Sequence, residues 1–262
     1  DNIHKNYIQK PHNYRLWYDS RMTYNDTLHR ERQAVLLLYD SRGYSDKDFY
    51  EGYVNRNYRF IQSKRNFEVR TARDGYTWAD ELLSFDIVRT GGNILKNSYK
   101  NEFDVKIQKS EFYRGDSVWI LSYECRKPGL VTTGFYYPEN YSGEIYISKE
   151  NYAVVKNQSR GEIKHLSRYG RDLYIPEPER KHHPENVSFN FTVEYEKSDG
   201  YYRLSEIAYS LEADKSNFWK TSDAHFKVKK VILDDPEIIE QRDYIENQSY
   251  SSDFRTNYSN KQ

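Results

Sequence analysis

The chain has 262 residues, 37% hydrophobic and 31% charged, a length that suits one large β domain. Its 40 lysines and arginines balance 40 aspartates and glutamates, which removes the long-range field that would favour nucleic acid or an anionic membrane. A single cysteine, Cys125, excludes an intrachain disulfide framework, and no run approaches the ~18 apolar residues of a membrane-spanning helix.

The apolar share is unusual because 27 tyrosines supply much of it. Tyrosine brings area, stiffness and a hydroxyl, and so suits half-wet sheet faces and cavities better than a dry core. The sequence opens at Asp1 and holds Met22 as its only methionine, which reads as a processed or excised portion whose targeting signal would be missing.

Tyr14 to Tyr24 reads as a strand, with Tyr14, Leu16, Tyr18, Met22 and Tyr24 on one face. After the turn at Asn25-Asp26-Thr27, the run Ala34 to Tyr39 is continuously apolar, as expected of a strand covered on both faces, and the two pair as a hairpin. Tyr58 to Ser63 and Phe67 to Thr71 are weaker strands. Trp78, Leu82, Phe85 and Val88 then fall at helical spacing before a stop at Gly91-Gly92, which predicts a helix whose apolar stripe covers the concave side of a sheet.

Phe103 to Tyr113 and Ser117 to Cys125 form a predicted hairpin around Arg114-Gly115-Asp116, and Tyr141 to Ser148 pairs with Tyr152 to Gln158. From Gly161 to Glu185 the chain is polar and broken by Pro176, Pro178 and Pro184, a long surface loop. Strands resume at Val187 to Tyr195, Tyr201 to Leu211 and His225 to Leu233, the last with a phase slip near Lys229-Lys230 that suits a bulge. The fold class is therefore mainly β (α+β), an antiparallel curved sheet or incomplete barrel wrapped around one or two helices. Residues 1–236 form one domain and 237–262 a polar tail.

No recognisable catalytic centre is present: there is no nucleophile elbow, phosphate-cradling glycine loop or H-E-x-x-H helix. His182-His183-Pro184-Glu185 contains a metal-ligand spacing but sits in a proline-broken loop, so no metal site and no cofactor are predicted. Cys125 shares a strand face with Trp119 and Tyr123 and reads as a buried small apolar group. Arg114-Gly115-Asp116 matches an adhesion tripeptide but is ordinary turn chemistry. The Asn-x-Ser/Thr sequons at Asn186 and Asn190 fall partly within strands and read as composition.

Three segments together resemble a recurring domain of Bacteroidota cell-envelope proteins, the carboxypeptidase-regulatory-like-domain-containing proteins. They are Leu82-Leu83-Ser84-Phe85-Asp86-Ile87-Val88, Tyr113 to Leu121, and Tyr141-Ser142-Gly143-Glu144-Ile145-Tyr146-Ile147 followed by Tyr152-Ala153-Val154-Val155-Lys156. Order and spacing agree over roughly Tyr14 to Leu233. Such domains look like the periplasmic lipoprotein carriers of the LolA/LolB type, incomplete barrels curled around helices. The resemblance implies a periplasmic or outer-membrane location, no peptidase activity, and sugar attachment at Asp26-Thr27-Leu28 and Asp116-Ser117-Val118.

The resulting expectation is a non-enzymatic envelope module that does not span the membrane and binds a lipid, an acyl or other amphipathic ligand, or a partner protein on the concave face. Trp78, Leu82, Phe85, Trp119, Leu121 and Tyr146 are the candidate lining residues, with Tyr146 on the opposite strand phase from Ile145 and Ile147 and so a candidate for facing outward. The alternative is a glycan-binding module that uses exposed aromatic side chains.

Overall fold

The computed structural model describes residues 3–45, 55–67, 79–90, 93–135, 138–163, 186–215 and 218–242. Among these described residues, ten antiparallel strands form a single sheet that does not close into a barrel, accompanied by a few short helices. They are β1 (His12–Tyr24), β2 (Thr27–Asp40), β3 (Arg56–Arg65), β4 (Phe103–Tyr113), β5 (Asp116–Cys125), β6 (Pro138–Ser148), β7 (Val154–Ile163), β8 (Asn186–Ser198), β9 (Tyr201–Lys215) and β10 (Phe218–Ile232). Trp78, the His182–Glu185 motif and residues 243–262 lie outside the described residues, as does the predicted strand after Phe67.

The strand order is β3-β2-β1-β10-β9-β8-β7-β6-β5-β4. From β4 to β10 the chain is a plain meander, and the β1–β2–β3 meander is joined to it by pairing β1 with β10. Tight turns with positive φ at both central residues, Asn25-Asp26, Arg114-Gly115 and Asp199-Gly200, match the right-handed twist of their hairpins. In the β1–β10 ladder Arg15 pairs with Lys230 and Leu16 with Val228, so Lys229 is the extra residue of a bulge where the sequence phase slips.

β3 and β4 are consecutive in sequence yet occupy opposite edges of the sheet. Their connection carries α1 (Ala79–Ser84) and α2 (Ile87–Thr90), and α1 lies against β9 and β10. The face it covers is the inner face. The predicted single helix over Trp78 to Val88 is thus two, because Asp86 interrupts it. Its backbone N–H closes onto Leu83 O at 3.3 Å, while its carboxylate accepts the Arg89 N–H at 3.3 Å and begins α2.

Along β1 the inner residues Tyr14, Leu16, Tyr18 and Met22 are buried, as the alternation predicts. In β2 all of Ala34, Val35, Leu36, Leu37 and Leu38 are buried, so this strand is covered on both faces. Over the outer side of β1–β3 runs the segment 237–242, the start of the predicted polar tail. Asn13 accepts the Glu237 N–H at 2.6 Å and donates to its carbonyl at 2.9 Å, and Asn57 donates to the carbonyls of Ile239 and Glu240 at 2.9 and 3.0 Å. Ile239 is buried there.

Candidate functional site at the uncovered end of the sheet

The middle of the inner face is filled by the chain itself. Phe85, between α1 and α2, stacks on Phe191 at 4.5 Å and Tyr209 at 5.1 Å, and Phe135 stacks on Phe189 at 4.1 Å. Leu82, Leu83 and Val88 are fully buried around them. Aromatic stacking of this kind adds to area burial and fixes where the helices sit.

Beside this aromatic plug lies a buried ionic cluster that the sequence reading did not foresee. Arg56, at the start of β3, bonds Asp40 at the end of β2 through Nε at 2.8 Å and Asp86 through Nη2 at 2.8 Å. Arg89 of α2 reaches Asp40 at 3.3 Å. Tyr195 and Tyr44 donate to the two Asp86 oxygens at 2.6 and 2.9 Å, and the Gly43 N–H donates to Asp40 at 2.8 Å.

All four charged side chains are 0% exposed, so no substrate reaches them. Burial alone would raise the Asp40 carboxyl, but the Arg56 and Arg89 guanidiniums outweigh it and hold Asp40 below the ordinary carboxylate value. Burial, reinforced by the Asp86 charge, pushes the Tyr44 and Tyr195 hydroxyls far up, so they stay neutral donors. The cluster is a clamp that fastens α1 and α2 to the β2–β3 edge. Its sequence signal is an aspartate ending one apolar run, at Asp40, and another inside an apolar helix stripe, at Asp86.

At the other end of the sheet the inner face is left uncovered. Val105 and Ile107 of the edge strand β4 pair in register with Tyr123 and Leu121, which places them on the inner face, yet they are 43% and 69% exposed. Leu121 and Trp119 beside them are half-buried. Tyr152 stacks on Trp119 at 5.9 Å, and the Lys149 ammonium lies 5.7 Å from the same ring. The result is an apolar strip on β4 and β5 that ends in an aromatic pair with a cation at its rim.

The structure therefore separates the candidate lining residues. Trp119 and Leu121 come together on the uncovered strip, whereas Leu82 and Phe85 are consumed by the plug. Tyr146 lies on the outer face, where its ring packs against Tyr113 at 5.3 Å and under the Lys156 ammonium at 5.3 Å. Trp78 lies outside the described residues. Val105 and Ile107 were missed, because their alternation in β4 is indistinguishable from that of a core strand until the strand order makes β4 an edge.

The other sequence motifs have plain placements. Cys125 is a buried free thiol. Arg114 pairs with Glu194, and Asp116 accepts the Tyr202 hydroxyl at 3.0 Å, so both charged residues of the adhesion-like tripeptide are held by β8 and β9. Among the described residues no three His, Cys, Asp or Glu side chains are grouped so as to hold a metal ion. No described helix is long and apolar enough to cross a membrane.

His225 on the outer face is held between two carboxylates, with Nδ1 3.2 Å from Asp19 and Nε2 2.9 Å from Glu206. Burial lowers its pKa, but the hydrogen bonds to Asp19 and Glu206 outweigh this and raise it above the ordinary histidine value. The imidazolium is therefore favoured in the folded state. Its stabilisation is complete below the unfolded value of ~6.5 and is lost as pH rises through the folded pKa. Urea midpoints measured from pH 5 to 9 should fall over that upper interval in the native protein, and the His225→Gln variant should lose this component of the fall.

No family model matches the chain, and no curated protein matches it. Among solved structures it is similar to an outer membrane lipoprotein-sorting protein domain from Vibrio parahaemolyticus, at 11% identity and a TM-score of 0.32 over 88% of each chain. A DUF1329 family protein from Desulfovibrio piger is similar at 10% identity and 0.31, over 90% of this chain and 91% of that one. The Pseudomonas aeruginosa MucA/MucB complex contains a chain similar at 8% identity and 0.22, over 88% and 95%.

Proposed function

We propose that the chain is a non-enzymatic cell-envelope module that binds an amphipathic acyl ligand on the uncovered end of its inner sheet face. One observation carries this reading. Val105 and Ile107 face the side on which the rest of the sheet is covered, yet they are 43% and 69% exposed beside half-buried Trp119 and Leu121. Apolar groups aligned on one face and left in water gain about 25 cal/mol per Å² when something covers them. The Lys149 ammonium at the rim supplies a polar contact for a head group.

The plugged middle argues for a shallow strip holding part of a chain, in place of a deep acyl cavity. The non-enzymatic reading is supported by the convergent ionisable groups of the inner face, Asp40, Asp86, Arg56 and Arg89, which neutralise one another out of reach of solvent. A location in the periplasm or at the outer membrane is part of this proposal and rests on the motif resemblance alone, which no family model reproduces. The glycan alternative draws its support from the opposite face of the sheet.

Titration with a dansyl-labelled undecanoic acid tests the assignment. The native chain should enhance dansyl emission with saturable binding, and Ile107→Glu should weaken it by about tenfold or more, or about 1.4 kcal/mol. Ile107 is solvent-exposed, so its substitution should leave thermal unfolding unchanged. Absence of binding, or equal binding by native chain and variant, overturns the reading.

A further inference from the structure

The outer face of a curved sheet is ordinarily convex and simply solvated, but here it is indented. Three clefts of 580, 520 and 280 Å³ lie along it. The first two share Ser142, Arg160 and Asn190, and the second and third share Glu162, Ser188 and Glu212, so they form one continuous trough. It crosses the sheet from β4 to Trp219 of β10, six strand spacings or roughly 29 Å at about 4.8 Å each.

The sequence explains the indentation. Gly143 of β6 and Gly161 of β7 lie at its floor. A Cβ on Gly143 would fall 2.1 Å from the Gln158 carbonyl oxygen and 2.5 Å from the Tyr123 hydroxyl. One on Gly161 would fall 2.7 Å from both the Asn140 carbonyl oxygen and the Phe189 ring. Tyr123 and Phe189 are the in-register partners of these glycines and cover them from the inner side. Glycines covered by a neighbouring aromatic ring are where sheets bend.

Chemistry along the trough is of one kind. Hydroxyls come from Ser122, Ser142 and Thr192, and planar amides from Gln158 and Asn190. Carboxylates of Asp104, Glu124, Glu144, Glu162, Glu212 and Asp214 outnumber the cations of Lys106 and Arg160, and Trp219, 37% exposed, stands at the far end. Planar amides and carboxylates in an open groove match rows of neutral hydroxyl groups, and an indole face stacks on a sugar ring. An excess of carboxylates disfavours sulfated or uronic chains through like-charge repulsion.

We propose that this outer trough binds an extended oligosaccharide of neutral or basic sugars, at a site separate from the acyl strip on the inner face. A glycan array carrying neutral, amino-sugar and sulfated oligosaccharides, probed with the full chain, tests this. Neutral or amino-sugar chains should bind and change tryptophan emission. Thr192→Arg, which fills the trough, should weaken binding at least about tenfold. Trp219→Ala should weaken it similarly, and its exposed position keeps the test valid if the first variant misfolds. Ile107→Glu should bind glycans as the native chain does, which separates this outcome from failure of the acyl reading. A silent array, preference for sulfated chains, binding of pentalysine in place of sugars, or indifference to both trough variants overturns the proposal.

Discussion

Arg56→Met is expected to destabilise the fold by about 3–5 kcal/mol, the largest loss of any single charge-removing substitution in the described residues. Arg56 contacts both buried aspartates, at 2.8 Å each, and the methionine stem preserves volume while leaving those carboxylates short of a cation. Arg89 would still reach Asp40 at 3.3 Å, but Asp86 would keep only its tyrosine and backbone donors. The comparison is Arg59→Met. Arg59 pairs with Glu237 at the same 2.8 Å, but both side chains are 47% exposed and water screens the pair, so the loss there should be within about 1 kcal/mol. Urea unfolding of the two variants, with equal m values, reads the difference directly.

Acid should expose the same cluster. Asp40 is held below its ordinary value in the fold, so its contribution is present above the unfolded pKa of about 3.9 and is lost as pH falls through the folded pKa. Arg56→Met removes one of the two guanidiniums responsible. The variant should therefore unfold at a higher pH than the native chain in an acid titration followed by tyrosine fluorescence.

The second large effect is expected from Phe85→Ala, at about 3–5 kcal/mol. Its ring is 7% exposed and stacked between rings of β8 and β9, so truncation empties a space that the surrounding strands, hydrogen-bonded on both sides, cannot close. Near-UV circular dichroism should lose much of its aromatic signal while far-UV strand signal persists. A loss below about 1 kcal/mol would mean that the helices between β3 and β4 are not what fills the inner face.

The parts of the fold that could be read from the sequence are those where alternation and burial coincide. β1 and β8 alternate because one face meets the filled interior, and the continuous apolar run in β2 follows from cover on both faces by α-side core and by residues 237–242. The first half of β10 was hidden. Its inward residues include Lys220 and Ser222, polar side chains buried at 1%, so the alternation that marks a strand is inverted there. The helix break was hidden as well, since Asp86 is recruited by Arg56 from a distant strand and periodicity contains no trace of that partner.

The candidate strip was half legible. Trp119 and Leu121 stand out by type and phase, but whether an apolar residue is core or open surface depends on how many strands lie beyond it. Val105 and Ile107 became surface only because the meander ends at β4 and the helix α1 of the link to β3 lies against β9 and β10. The outer trough was illegible for a related reason. Its serines, amides and carboxylates read as ordinary solvated positions, and only the register of Gly143 with Tyr123 and of Gly161 with Phe189 gathers them along an indentation.

The inner face is filled beneath β8, β9 and β10 and open at β4 and β5. Hydrogen–deuterium exchange of the chain with and without saturating undecanoic acid checks this division of the face. Exchange should be slow in β8 to β10 under both conditions and fast in β4 without ligand, with added protection confined to β4 and β5 when the acid is present. Protection appearing in β8 to β10 instead, or no change in β4, would contradict it.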